Sequence, residues 1–130
     1  MAMAQGIKKI LIVEDEKFLR ELMATKLEKE NFGVVTAVDG IEAIKKTETE
    51  KPDLILLDII LPGKDGFEVL RAIRAMTDKT VAQTPIIMLT NLGQESDREK
   101  AVQLGANDYL VKAFFTTDEI VQKMNEFLSK

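Results

Sequence analysis

The stretch from residue 54 to residue 66 constrains the fold more than any other part of this sequence. Four apolar residues lead into Asp58, and a short apolar run then continues to Pro62 and a turn cluster. A continuous apolar run without alternation is typical of a strand covered on both faces of a parallel sheet. Ligands bind at the carboxyl ends of such strands. Asp58 is therefore predicted at the binding edge of a central strand, where a carboxylate needs partners because burying its charge alone is costly.

The composition narrows the chemistry that this chain can perform. With 130 residues, 45% of them hydrophobic, it can form one ordinary domain with a real core. It contains no cysteine and no histidine, which excludes disulfides, thiolate or histidine metal sites, and Ser-His-Asp triads. Its 18 basic and 22 acidic residues give a net charge of −4, so direct binding to nucleic acid is not expected.

The N-terminal part carries no targeting or membrane signal. After the first nine residues the apolar run spans only residues 10–13, too short for the core of a signal peptide. No run approaches the length that crosses a bilayer. We therefore expect a cytoplasmic protein without membrane insertion.

Strands and helices are predicted to alternate about five times. Buried strands are expected at residues 8–13, 34–37, 54–57, 86–89 and 108–111. Apolar residues at helical spacing lie between and after them, for example Leu19, Leu22, Met23 and Leu27 in the first helix and Ile120, Val121, Met124, Phe127 and Leu128 in the last. This alternation predicts an α/β fold, a doubly wound parallel sheet with helices on both faces. At this size the natural strand order is the flavodoxin-like 2-1-3-4-5.

Local signals predict where several helices begin and end. Gly33 is expected to be the left-handed cap of the first helix, and residues 105–107 are expected to end the fourth. Residues 76–83 are predicted to form a polar loop. Capping boxes are expected at three pairs that have the required spacing: Asp39 with Glu42, Ser96 with Glu99, and Thr116 with Glu119.

The predicted topology brings four strand ends together at one edge of the sheet. They carry Glu14 and Asp15, Asp58, Thr90 and Lys112. Three carboxylates at one edge repel each other and favour a cation among them. Oxygen ligands alone favour a hard ion such as Mg²⁺. A carboxylate nucleophile, Mg²⁺, a lysine and a hydroxyl are together what an aspartate needs to accept a phosphoryl group.

Each of these residues has an ordinary interpretation when it is taken alone. Asp58 can begin a polar turn, and the acids at residues 14–16 can cap the following helix. Thr90 and Lys112 are more often a strand-end residue and a solvated surface lysine. Tyr109 is more often packing than a switch. Only their joint placement at neighbouring strand ends favours a functional site.

In these motifs the chain resembles the receiver domain of two-component response regulators, over residues 8–128. The resemblance rests on the acidic pair after the first strand, Asp58 followed by Pro62 and by Asp65-Gly66, Thr90 after the fourth strand, and Tyr109 three residues before Lys112. It implies that Asp58 accepts phosphate from the phosphohistidine of a sensor kinase.

The resemblance also implies a role for each neighbouring residue. Magnesium is expected to bind Glu14, Asp15, Asp58 and the backbone carbonyl of Ile60. Lys112 and Thr90 are expected to contact the phosphoryl oxygens. Thr90 and Tyr109 are expected to form the switch, with Tyr109 as the rotating aromatic.

The chain departs from the family pattern at two places close to the site. Ala113 follows Lys112 where the family usually has a proline joined by a cis peptide. A cis bond before a non-proline residue costs about 2.5–4 kcal/mol, so a trans peptide and a differently shaped loop are expected. Asn91 follows Thr90 where a very small residue is usual.

The function expected from the resemblance is a phosphorylation-dependent signalling switch, with no catalysis beyond its own phosphorylation and dephosphorylation. The donor is a sensor histidine kinase or a phosphotransfer protein, and the signal leaves by contact with a downstream protein or by phosphorelay. Residues 1–130 are expected to form a single receiver domain without an output domain.

Three other functions compete with this one. A phosphohydrolase of the haloacid-dehalogenase type needs a second aspartate two residues after the nucleophile, where this chain has Ile60. A flavodoxin-like nucleotide binder needs a phosphate loop after the first strand, where acids stand instead, and Gly63-Lys64-Asp65 does not complete a Walker motif. A degenerate receiver that only scaffolds is disfavoured by the intact acids, threonine and lysine, although Ala113 leaves it open.

Overall fold

The computed structural model describes residues 6–129, so residues 1–5 and 130 of the predicted domain lie outside the described residues. Five strands form one sheet in which every pair is parallel, with the order β2-β1-β3-β4-β5. The strands are β1 (Lys9–Val13), β2 (Gly33–Ala37), β3 (Leu54–Leu57), β4 (Ile86–Thr90) and β5 (Asp108–Val111). The predicted doubly wound, flavodoxin-like fold is confirmed.

Six α-helices connect and follow these strands. They are α1 (Lys17–Lys29), α2 (Gly40–Glu50), α3 (Gly66–Arg74), α4 (Lys79–Ala82), α5 (Glu95–Gln103) and α6 (Thr117–Leu128), and a short 3-10 turn (Lys112–Phe114) precedes the last. Within residues 6–129, no helix combines the length and the apolar character needed to cross a membrane.

The sheet separates two hydrophobic clusters, which is why its strands are apolar on both faces. One cluster contains Leu57 of β3 together with buried residues of α2, α3 and α5. The other contains Leu56, the next residue back along β3, together with Leu27 of α1 and Met124 of α6. Successive strand side chains point to opposite faces, so burial on both sides leaves only the strand ends open for chemistry.

The predicted capping boxes have three different outcomes. The box of Thr116 and Glu119 is present at α6. At α2, Asp39 accepts from the Glu42 N–H at 2.8 Å, but the Glu42 side chain accepts from the Val38 N–H, so the box is only half formed. At α5 the prediction for Ser96 is wrong, because the N-cap is Gln94, two residues earlier, and it makes no side-chain hydrogen bond.

Two further local predictions differ from the structure, and one local feature was not predicted. The left-handed residue after α1 is Asn31, with φ 69°, whereas Gly33 already begins β2. Residues 76–83 are not wholly loop, because the Asp78 carboxylate caps the single turn of α4 through the Thr80 and Val81 N–H groups. A full capping box at α3, formed by Asp65 and Glu68, has the same spacing as the predicted ones and was overlooked.

Candidate functional site

Parallel pairing of β1 with β3 brings the predicted carboxylates together. Val13 lies beside Leu57, and the N–H of Asp58 continues the ladder by donating to the Val13 carbonyl at 3.2 Å. Glu14, Asp15 and Asp58 each place a carboxylate oxygen within 4.8 Å of the others. Glu14 and Asp58 are buried, with 6% and 7% of their surface exposed, whereas Asp15 is exposed. The sequence prediction of an acidic cluster at this sheet edge is therefore confirmed in position.

Lys112 extends into this cluster from the end of β5. Its Nζ donates to Asp58 Oδ2 at 2.8 Å and also pairs with the Glu14 carboxylate. The Lys112–Ala113 peptide is trans, as expected for a non-proline residue, since the described residues contain no cis peptide. With Ala113 in place of the usual proline, Lys112 is still directed at the Asp58 carboxylate.

The lysine changes the electrostatics that the sequence suggested for the cluster. Burial by itself lowers the pKa of Lys112, but its hydrogen bonds to Asp58 and Glu14 outweigh that effect and raise the pKa above its usual value. The ammonium group therefore stays charged at neutral pH and compensates part of the repulsion between the acids. Lys112 pairs with Glu14 and Asp58, so one of the three acidic charges is balanced within the protein and a net negative charge remains at the cluster.

The Asp58 carboxylate is held by hydrogen bonds on both of its oxygens. Oδ1 accepts from the Ile59 N–H at 2.7 Å and from the Ile60 N–H at 3.4 Å, while Oδ2 faces Lys112. These bonds fix the direction of the carboxylate at the end of β3. A carboxylate that is held in one orientation at an open strand end is suited to act as a nucleophile.

Gly66 allows the chain to fold back tightly against Asp58. Its N–H donates to the Ile59 carbonyl at 2.8 Å. A Cβ at this position would lie 2.3 Å from the Asp58 carbonyl oxygen and 2.7 Å from the Ile59 Cα, so no side chain fits without moving the backbone at residues 58 and 59. The Asp65-Gly66 pair of the sequence motif is therefore explained by close backbone contact.

The substitution Gly66→Ala is expected to lower the free energy of unfolding by about 1–3 kcal/mol, because the added methyl group displaces backbone atoms that cannot give way. Urea unfolding followed by circular dichroism measures the change. Gly93→Ala is the matched control, since a Cβ there meets its nearest atom, the Val111 Cγ2, only at 3.9 Å. Equal unfolding midpoints for the two variants would contradict the close-contact argument.

Thr90 and Tyr109 are connected through the backbone of one residue, Leu92, in the loop after β4. Thr90 is fully buried, and its Oγ1 accepts from the Leu92 N–H at 3.4 Å. The Leu92 carbonyl in turn accepts from the Tyr109 hydroxyl at 2.6 Å. Tyr109 is only 2% exposed, so the ring lies inward. The sequence indicated both side chains but not the Leu92 backbone between them, because a backbone contact leaves no residue-type signal.

An apolar cavity of about 270 Å³ adjoins the site between α1 and α6. Asp58 and Lys112 line one part of it, and Leu22, Met23 and Ile120 are among its apolar walls. In the sequence these residues are visible only as the apolar faces of the first and last helices, a pattern that does not reveal a cavity between them. The half-exposed Leu22 shows that the apolar face of α1 is only partly covered.

The donor set of the acidic cluster fits a divalent cation. Three carboxylates against the single ammonium of Lys112 leave a formal charge of −2. All the side-chain donors are oxygens, and oxygen donors are what hard divalent ions prefer. The exposed Asp15 leaves the cluster accessible from solvent.

Comparison with known proteins identifies the family. The family model described as the response regulator receiver domain matches residues 10–125. The alkaline phosphatase synthesis transcriptional regulatory protein PhoP of Bacillus subtilis is 47% identical over 107 residues, which cover 82% of this chain and 43% of that protein. The chain thus spans less than half the length of this curated relative.

Solved receiver domains have the same fold. The magnesium-bound receiver domain of the sensor histidine kinase PA1611 from Pseudomonas aeruginosa is 33% identical, with a TM-score of 0.86, covering 96% of this chain and 100% of that one. The BeF3-activated receiver domain of Klebsiella pneumoniae RstA is 34% identical, with a TM-score of 0.85, covering 94% of this chain and 99% of that one. With the acidic cluster, lysine and threonine in place, this chain belongs to the response regulator receiver domain family.

Proposed function

We propose that this chain is a phosphorylation-dependent signalling switch in which Asp58 is the phosphoacceptor. The observation that carries the proposal is the oriented Asp58 carboxylate, which lies at a parallel strand end 2.8 Å from the Lys112 ammonium. The donor is the phosphohistidine of a sensor histidine kinase or a phosphotransfer protein. An Asp58 oxygen forms the new bond to phosphorus while the bond to the donor's imidazole nitrogen breaks, and the imidazole leaves.

The neighbouring side chains stabilise the transferred group. Lys112 already contacts Asp58 Oδ2, so a small movement places its ammonium on a phosphoryl oxygen. The Thr90 Oγ1 accepts from the Leu92 N–H, which leaves the hydroxyl hydrogen to donate to another phosphoryl oxygen. Both contacts place positive charge or a donor where negative charge accumulates during transfer.

We propose Mg²⁺ as the cation of the acidic cluster. The carboxylates of Glu14, Asp15 and Asp58 and the backbone carbonyl of Ile60 would hold it. When bound, the ion would neutralise negative charge on the phosphoryl group. The magnesium-bound receiver domain of the Pseudomonas kinase PA1611 supports this choice of metal.

Replacing Asp15 with Ala is expected to abolish the stabilisation of this protein by Mg²⁺, and to stabilise the metal-free protein slightly because one repelling charge is removed. For the wild type, a metal concentration one hundred times the Kd contributes about 2.7 kcal/mol to the free energy of unfolding. Thermal melts with and without Mg²⁺ measure both effects. Glu28→Ala, which removes an exposed acid on α1, is the control; equal Mg²⁺-induced shifts in the two variants would refute the assignment of Asp15.

The proposed switch acts through protein contacts and not through turnover of a substrate. Its only reactions are phosphorylation and dephosphorylation of Asp58, and residues 8–128 form the receiver unit. Output is by contact with a downstream protein or by phosphorelay. The test is the intact mass after incubation with acetyl phosphate and Mg²⁺: the wild type should gain one phosphoryl group, and an unchanged mass would contradict the function.

A further inference from the structure

Arg98 of α5 lies over the ring of Tyr109. The guanidinium carbon is 5.0 Å from the ring centroid, and the arginine itself is exposed. The Tyr109 hydroxyl is engaged by the Leu92 carbonyl at 2.6 Å. The ring is thus restrained at two points, through its hydroxyl group and through the guanidinium above its face.

Helix α5 has few other contacts that would fix the position of its side chains. Among its nine residues only Ala101 is buried, and its N-cap Gln94 makes no side-chain hydrogen bond. A second cation of the same helix, Lys100, lies 4.3 Å from the centroid of the Phe67 ring. Since apolar burial contributes so little, the contacts between cations and rings take a larger share in holding α5 against its neighbours.

We propose that Arg98 is a positioning residue that retains Tyr109 in its inward position. Through the Tyr109 hydroxyl, the Leu92 backbone and Thr90, it connects α5 to the phosphorylation site. That consequence rests on the proposed function, whereas the retention of the ring does not. Without Arg98 the ring keeps its hydroxyl bond and its packing in the hydrophobic cluster, but it loses the cation above its face, so it moves outward more often.

The charges around the ring distinguish two possible roles of Arg98. It can hold the ring in place, or it can act only as a nearby positive charge. Burial raises the pKa of Tyr109, Asp97 raises it further, Arg98 lowers it, and Asp58 raises it slightly. If the ring stayed in place, removal of Arg98 would therefore raise the pKa. If the ring is released, the tyrosinate becomes solvated outside and the pKa falls towards the ordinary value of 10.0.

The chain is well suited to the measurement because it contains one tyrosine and no tryptophan. Ultraviolet titration of tyrosinate and acrylamide quenching of tyrosine fluorescence therefore report on Tyr109 alone. An exposed cation–ring contact changes the ratio of inward to outward ring by about two- to fivefold, so we expect Arg98→Ala to lower the apparent pKa by a few tenths of a unit. The part of the quenching that comes from the outward ring should rise by the same factor.

Two further variants complete the experiment. Arg98→Lys keeps a cation over the ring and should restore the wild-type values, while Arg71→Ala removes an exposed arginine of α3 and should change neither quantity. A raised or unchanged pKa in Arg98→Ala, or quenching equal to that of the wild type at neutral pH, would overturn the proposal. Both measurements need no phosphoryl donor, so their failure is distinct from failure of Asp58 to accept a phosphoryl group.

Discussion

Asp58→Asn is expected to eliminate phosphorylation by acetyl phosphate. An amide at this position keeps the shape of the side chain and can still accept from the Ile59 N–H, but it has no ionised oxygen to attack phosphorus. Lys112 retains its pairing with Glu14, so the folded structure should persist. Intact-mass measurement after incubation with Mg²⁺ and acetyl phosphate should show no added phosphoryl group.

Asp65→Asn provides the matched control for this substitution. Asp65 lies in the same loop and caps α3 by accepting from the Glu68 N–H at 2.9 Å. Asparagine is an equally good N-cap, so this variant should fold normally and gain the phosphoryl group like the wild type. A phosphorylated Asp58→Asn protein would show that another carboxylate is the acceptor.

The position of the site could be predicted from the sequence because a parallel sheet brings the carboxyl ends of its strands to one edge. The four strands that form the site were visible as short, largely apolar runs, and each run was followed by a polar residue: Glu14, Asp58, Thr90 and Lys112. Once the strand order is known, the ends of β1, β3, β4 and β5 must lie side by side. Glu14, Asp58 and Lys112, which are far apart in the chain, were therefore placed together before any contact was known.

What could not be predicted depends on contacts that periodicity does not encode. The one-turn helix α4 is shorter than the period that would reveal it. The left-handed residue after α1 is Asn31 and not the nearby Gly33, and which residue takes that conformation depends on where the helix meets β2. The bridge that Lys112 makes between Glu14 and Asp58 depends on side-chain directions across three strands. Neither the single turn of α4 nor the Lys112 bridge produces a periodic signal in the sequence, and at the end of α1 both Asn31 and Gly33 are residue types that adopt the left-handed conformation.

The lifetime of the phosphoryl group is expected to be long, because two apolar side chains flank the acceptor. Hydrolysis requires a water held in line behind phosphorus. In the receiver family the flanking positions are two residues beyond the acceptor and two beyond the threonine, here Ile60 and Leu92. The Ile60 side chain is 61% exposed next to Asp58, and Leu92 is half-buried beside Thr90. Neither side chain can form a hydrogen bond to a water molecule. Asn91 is exposed and polar, but it lies one residue before Leu92, the position from which the water would be oriented.

Loss of phosphate from purified phosphoprotein in Mg²⁺ buffer tests this expectation. Ile60→Asn and Leu92→Glu each introduce a group that can orient water, and we expect decay faster by about ten- to a hundredfold. Ile60→Leu keeps the apolar character and should decay like the wild type. Because Ile60 is exposed, its substitution should not disturb folding, and the hydrogen bonds of the Leu92 backbone survive in the glutamate variant. If the wild type loses phosphate as fast as the two polar variants, the apolar flanks do not set the lifetime, and the control of hydrolysis must then lie with Lys112, Thr90 and the metal.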